Sequence, residues 1–145
     1  MGFSIPERAA RTYDSGNEPF TGTTMPCIGD AVAGILQRPG ATANKFLRIR
    51  SLEVTQNEIL AAFEEATGEK WSVTSVSTKD IFEKGKAKLA AGDMGAILDL
   101  MVVQLFEEGA GRSIVVTKED SDNELLGLQE EEDLSAVIKG ILSPA

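Results

Sequence analysis

Val54-Thr55-Gln56-Asn57-Glu58-Ile59 is the stretch from which the fold is read. Thr55 is a good N-cap residue, and Glu58 follows it three residues later. That spacing makes a capping box, in which each side chain bonds a backbone N–H that the first helical turn leaves free. Val54 and Ile59 stand at the positions of a hydrophobic staple. A helix is expected from here to Ala66 or Thr67, stopped by Gly68. On either side lie runs with the alternation of strands, residues 45–51 (KFLRIRS) before it and 71–77 (WSVTSVS) after it. Strand, helix and strand thus follow one another.

Working outward towards the N-terminus, Pro26 can start a helix through Ile28, Val32, Ile35 and Leu36, apolar positions that share one helical face. Arg38-Pro39-Gly40 ends it. Upstream, Asp14-Ser15-Gly16-Asn17 reads as a turn, with short strands or a hairpin expected around it. On the other side, Thr78 opens a charged helix over residues 80–91, with Gly85 as a weak point. Asp93 is placed to cap a helix over residues 94–108, closed by Gly109. Residues 114–117 form a short apolar, extended run, and 120–124 a polar loop. Leu134, Val137, Ile138 and Ile141 mark a last amphipathic helix.

At 145 residues the chain has the size of one domain with a real core. With 42% hydrophobic and 26% charged residues it has the balance of a globular protein. No apolar run approaches the ~20 residues of a membrane helix, and the N-terminal residues do not read as a signal peptide. Cys27 is the one cysteine, so no disulfide framework forms within the chain and a cytoplasmic location is expected. Histidine is absent, which excludes Ser-His-Asp and Cys-His catalysis and disfavours zinc. Residues 1–50 carry a net +2 and residues 51–145 a net −11, against −9 for the whole chain. No basic stripe is present, so neither nucleic acid nor an anionic membrane surface is an expected partner.

The chemical motifs are few. Gly109-Ala110-Gly111 is the one GxG, but it follows a helix and precedes an apolar run. A dinucleotide fingerprint needs a strand before it and a helix after it, so a helix C-cap loop is the better reading. Tyr13 is the sole tyrosine, and Asn17 rather than lysine stands four residues on, so the tyrosine–lysine pair of a short-chain reductase is missing. Tyr13 reads as a strand residue packing its ring. Asp120 to Glu131 has calcium-loop spacing, but its sixth position is Leu125 instead of glycine. Glu130-Glu131-Glu132-Asp133 fits a helix start, where the dipole favours carboxylates. Cys27 reads as small apolar packing, with no base in view. The helix over 94–106 is apolar nearly all round, which suits a buried core helix, a pocket lining or a partner surface.

Taken in order, several strings resemble one family. Tyr13-Asp14-Ser15-Gly16-Asn17, Thr23-Thr24 and Ile28-Gly29-Asp30-Ala31-Val32-Ala33-Gly34-Ile35-Leu36 are similar to the middle of NmrA-like and isoflavone-reductase-like proteins. Pro39 with Thr42-Ala43-Asn44-Lys45-Phe46-Leu47-Arg48-Ile49 continues the likeness, as do the capping-box string, Gly68-Glu69-Lys70-Trp71 and Asn123-Glu124-Leu125-Leu126-Gly127-Leu128. The resemblance implies an α/β chain, the C-terminal part of a Rossmann-type NAD(P)-binding fold with a small α+β substrate lobe. Residues 1–51 would be a remnant of the Rossmann-type sheet, and 52–145 the mostly helical lobe. The nucleotide-binding half, with its site for NADP(H) or NAD(H) and its catalytic residues, would lie outside this chain, and no cofactor is expected to bind the chain alone. The resemblance also implies a small apolar or aromatic substrate in a pocket to which Ile97, Met101 and Leu105 contribute from one helical stripe. Bared apolar surface, expected around Ile35, Leu47 and Ile49, could meet a protein partner. The family includes a redox-sensing regulator that binds nucleotide and a protein partner without turnover, so enzyme, regulator and interaction module all stay open.

Overall fold

The computed structural model describes residues 2–143. Among the described residues are five short strands and seven helices, with parallel and antiparallel pairing both present, an α/β arrangement. The chain divides into two compact units interleaved in sequence. One joins the segment ending at Phe20 to Thr55–Ser113; the other joins Thr21–Val54 to the segment from Ile114 onward.

The first unit is built on a three-stranded sheet of β1 (Phe3–Ser4), β2 (Ala9–Tyr13) and β5 (Ser72–Val76), with β2 in the middle. β1 pairs antiparallel with β2, placing Phe3 opposite Ala10. β5 pairs parallel with β2, from Ala9 opposite Ser72 to Tyr13 opposite Val76. A parallel pair needs a long crossover, and α3 (Gln56–Thr67) lies within it. Both halves of its capping box form: Glu58 N–H donates to Thr55 Oγ1 at 3.2 Å, and Thr55 N–H to Glu58 Oε2 at 2.7 Å. Gly68 ends the helix in the left-handed conformation, which a residue without Cβ adopts at no steric cost.

Rings fill the core of this unit. Phe63 and Trp71 meet at 4.8 Å between centroids, with Phe3 5.7 Å from Phe63. Tyr13 stacks on Phe106 at 5.2 Å, and Phe20 meets Phe106 edge-on. Each fully buried ring contributes about 1.5–3 kcal/mol by area. α4 (Thr78–Ala90) and α5 (Ala96–Phe106) pack together beside this core. Gly85 sits at their contact: a Cβ there would stand 3.3 Å from both Asp99 Cβ and Leu100 Cδ2. The residue expected to weaken α4 is therefore the one that lets α5 come close. α5 starts two residues later than expected. Asp93 Oδ1 accepts from Gly95 N–H at 2.8 Å, which holds the preceding residues in a turn instead of capping the helix directly.

The second unit holds α1 (Met25–Gln37), α2 (Pro39–Thr42), α6 (Asn123–Leu126), α7 (Leu134–Leu142), and β4 (Leu52–Val54) beside β3 (Phe20–Gly22), whose first residue belongs to the other unit. α1 starts as expected, with Thr24 capping it and Pro26 in its first turn. Its buried face is not the stripe of larger apolar residues. Cys27, Ala31 and Gly34 are buried, whereas Val32 is 52% and Leu36 74% exposed. Small residues decide the face because a Cβ on Gly34 would lie 2.5 Å from the Leu126 carbonyl oxygen. The neighbouring backbone approaches too closely for the larger side chains of the opposite stripe.

The strand expected over 45–51 does not form; the ladder begins at Leu52. Asn123, fully buried, takes the place of a neighbouring strand. Its Oδ1 accepts from Arg50 N–H at 3.3 Å, and its Nδ2 donates to the Arg50 carbonyl at 2.7 Å. Asp122 does the same for Arg48, accepting from its N–H at 2.8 Å while donating its own N–H to the Arg48 carbonyl. Groups at the start of α6 thus satisfy an extended segment without a sheet partner. Ile35, Leu47 and Ile49, expected to be bared, are half-buried, and the exposed apolar residues nearby are Val32, Leu36 and Phe46. Short strands flank the Asp14 turn as expected, β2 before it and β3 after it, and since they lie in different sheets they form no hairpin; residues 114–117 belong to no strand. The last helix appears as read, capped by Asp133, whose carboxylate accepts from Ser135 N–H at 2.9 Å, with Ile138 buried.

Candidate functional site

The Gly109-Ala110-Gly111 loop follows α5 as a C-terminal turn, with positive φ of 75° at Gly109 and 61° at Gly111. Successive N–H groups in such a turn form a concavity suited to an anion. Here the anion is the chain's own. Glu18, 7% exposed, accepts from Gly109 N–H at 2.8 Å with one carboxylate oxygen and from Gly111 N–H at 2.8 Å with the other. The two N–H groups that a nucleotide phosphate would need are engaged by this carboxylate, so these residues do not form a nucleotide cradle. Sequence reasoning missed Glu18. Its only signal was a carboxylate just before Pro19 in a turn-rich stretch.

Asp14 organises the neighbouring turn. Its φ is +49°, uncommon for a residue with a side chain. Its carboxylate accepts from Thr78 N–H at 2.8 Å, from Thr78 Oγ1–H at 2.6 Å and from Glu108 N–H at 3.2 Å. Partial burial pulls the Asp14 pKa upward, but these hydrogen bonds outweigh it, helped by the Lys79 charge, and hold it below the usual aspartate value. The carboxylate is thus committed to joining β2, α4 and the end of α5. Tyr13, beside it, is a buried strand residue stacked on Phe106, as its sequence context suggested.

On α5, Ala96, Val103 and Phe106 face inward. Ile97 is 46% and Met101 53% exposed, and Leu105 is half-buried. With Met94 and Leu98 the first two make an exposed apolar surface. A separate hollow of about 620 Å³ lies between α4 and α5, lined by Lys79, Phe82, Leu100, Val103, Gln104 and Arg112 among others. The helix that is apolar all round therefore serves three environments: the core, the hollow and an exposed stripe.

In the second unit Cys27 is buried, and burial, then the Glu132 and Asp30 carboxylates, push its thiol above the ordinary value. That is the opposite of an activated nucleophile. A polar hollow of about 520 Å³ lies beside it, with Asp30, Gln37, Arg38 and Gln129 on its wall. A more apolar groove of about 640 Å³ runs between the start of α1 and α7, past Met25, Val137 and Ile141. The calcium-like stretch is spent internally: Asp122 holds the Arg48 backbone, Asp120 accepts from Thr117 Oγ1–H, and Glu131 lies 3.3 Å from Lys118. Among the described residues no three acidic or cysteine side chains converge as a metal site, and no helix is long and apolar enough to cross a membrane.

No family model matches the chain. No solved structure matches it either. Curated fungal proteins do. The chain is 43% identical to the oxidoreductase poxI of Penicillium oxalicum over 132 residues, which is 90% of this chain and 42% of that protein. It is 28% identical to the oxidoreductase aprR of Aspergillus flavus over 143 residues, 97% of this chain and 48% of that one. The chain is thus similar, along most of its length, to fungal proteins named oxidoreductases, and it spans less than half the length of each.

Proposed function

We propose that this chain is the C-terminal substrate-lobe portion of an NmrA-like, isoflavone-reductase-like NAD(P)-dependent oxidoreductase. The similarity to poxI over 90% of the chain carries the reading. Glu18 fills the Gly109–Gly111 loop with its carboxylate, which fits a nucleotide held by other polypeptide. NADP(H) or NAD(H), bound there, would supply or accept a hydride. In this reading the chain alone is inactive, and Ile97, Met101 and Leu105 offer the apolar surface against which a small apolar or aromatic substrate lies.

The test has two arms. This chain, titrated with NADPH and followed by nucleotide fluorescence, is expected to show no saturation; saturable micromolar binding would overturn the placement of the nucleotide site. A chimera in which this chain replaces the matching part of poxI is expected to fold and bind NADPH. A folded chimera that binds no NADPH would refute the family reading.

One observation favours a second reading. Met94, Ile97, Leu98 and Met101 expose neighbouring apolar side chains, with Met94 at 70%, and such a surface suits a protein partner. A regulator that binds nucleotide and a partner without turnover would use it so. Substrate-dependent NADPH oxidation by the chimera would exclude that reading.

A further inference from the structure

We propose that the hollow between α4 and α5 is a binding site for a small aromatic monoanion such as an aryl carboxylate. The hollow, about 620 Å³, falls within the size range of small-molecule sites. Phe82, Leu100 and Val103 give it an apolar lining; Phe82 is 42% exposed, with Lys86 Nζ 5.2 Å from its ring centroid.

The charges around it decide the ligand. Arg112 is paired with Glu107, and Glu83 with Lys86 at 3.2 Å, so these four groups cancel. Lys79, on the rim, makes no ion pair among the described residues. The nearby Asp14 carboxylate feels its charge while accepting hydrogen bonds from Thr78 and Glu108, so Lys79 is balanced at a distance and has no direct carboxylate contact among the described residues. The side-chain amide of Gln104, also on the wall, makes no hydrogen bond among the described residues. One cation without a direct carboxylate partner and one exposed amide therefore converge on an apolar, partly aromatic surface. An apolar ring with a single negative head satisfies all three features; a neutral ring leaves Lys79 unpaired, and a polar anion leaves the lining wet.

The site needs neither nucleotide nor turnover, so its failure and that of the oxidoreductase reading are separate results. The experiment is an NMR titration of the ¹⁵N-labelled chain with cinnamate, and in parallel with cinnamyl alcohol as the neutral ring. Saturable shifts are expected at Lys79, Phe82, Leu100, Val103 and Gln104, with cinnamate bound about fivefold more tightly, the upper scale of an exposed ion pair. Lys79→Ala should remove that advantage and leave the alcohol unaffected. Phe82→Ala should weaken both ligands about fivefold or more. Both side chains are exposed, and an otherwise unchanged spectrum confirms that each variant is folded. Shifts that do not saturate, shifts centred on Met25, Val137 and Ile141 instead, or a Lys79→Ala variant that binds cinnamate as before would each overturn the proposal.

Discussion

Replacing Asn123 by alanine tests the idea that one side chain stands in for a missing strand. Asn123 is fully buried and makes three side-chain hydrogen bonds: one accepted from Arg50 N–H, one donated to the Arg50 carbonyl and one donated to the Gln129 carbonyl at 2.6 Å. Gln129 is exposed, so water can replace the last bond at little cost. The two Arg50 groups are buried and would be left without a partner. An orphaned buried backbone group costs about 1–3 kcal/mol, so the expected loss for the two is about 2–6 kcal/mol. Against a typical total of about 5–15 kcal/mol this is a large fraction. Urea unfolding followed by circular dichroism reads the global change. Because the chain has two units, amide hydrogen exchange over residues 45–54 reads the local one. A loss below about 1 kcal/mol, with unchanged protection at Ser51 and Leu52, would refute the reasoning.

Asp14 predicts an acid dependence. Its pKa is lowered in the folded chain, so its contribution is complete above the ordinary aspartate value and is lost as pH falls through the lowered one. Asp14→Asn should therefore show a shallower loss of stability below about pH 4 than the unaltered chain, measured as urea midpoints between pH 5 and 2; an equal slope would remove Asp14 from the account. α1 supplies a matched pair. Gly29→Ala meets nothing within 4 Å and should stabilise by up to about 1 kcal/mol through helix propensity. Gly34→Ala drives a Cβ to 2.5 Å from the Leu126 carbonyl and should destabilise by about 1–3 kcal/mol. Thermal midpoints moving in the same direction for both would contradict the close approach.

Local signals were legible in the sequence wherever the determining atoms are neighbours in the chain. The Thr55–Glu58 capping box, Gly68 at the end of α3, Pro26 in the first turn of α1 and the strand after Trp71 all depend on bonds that span a few residues, and each lies where its residues indicated. The same locality made the GxG readable as the turn after α5 and Tyr13 as a packing ring. Partners distant in sequence were not legible. The alternation in residues 45–51 is that of a strand, but hydrogen bonding decides between a strand and an extended segment. The partner turned out to be Asn123, 73 residues away. Likewise Glu18 reaches the glycine loop across 91 residues, and the buried face of α1 was chosen by a close approach to Leu126 that its hydrophobic periodicity could not encode. By itself the sequence determined where α1 and α3 begin, where α3 ends, and which catalytic chemistries lack their residues. Only the tertiary structure decided which backbone groups are satisfied by side chains and which faces are covered, because a buried polar group must find a partner wherever the fold brings one within reach.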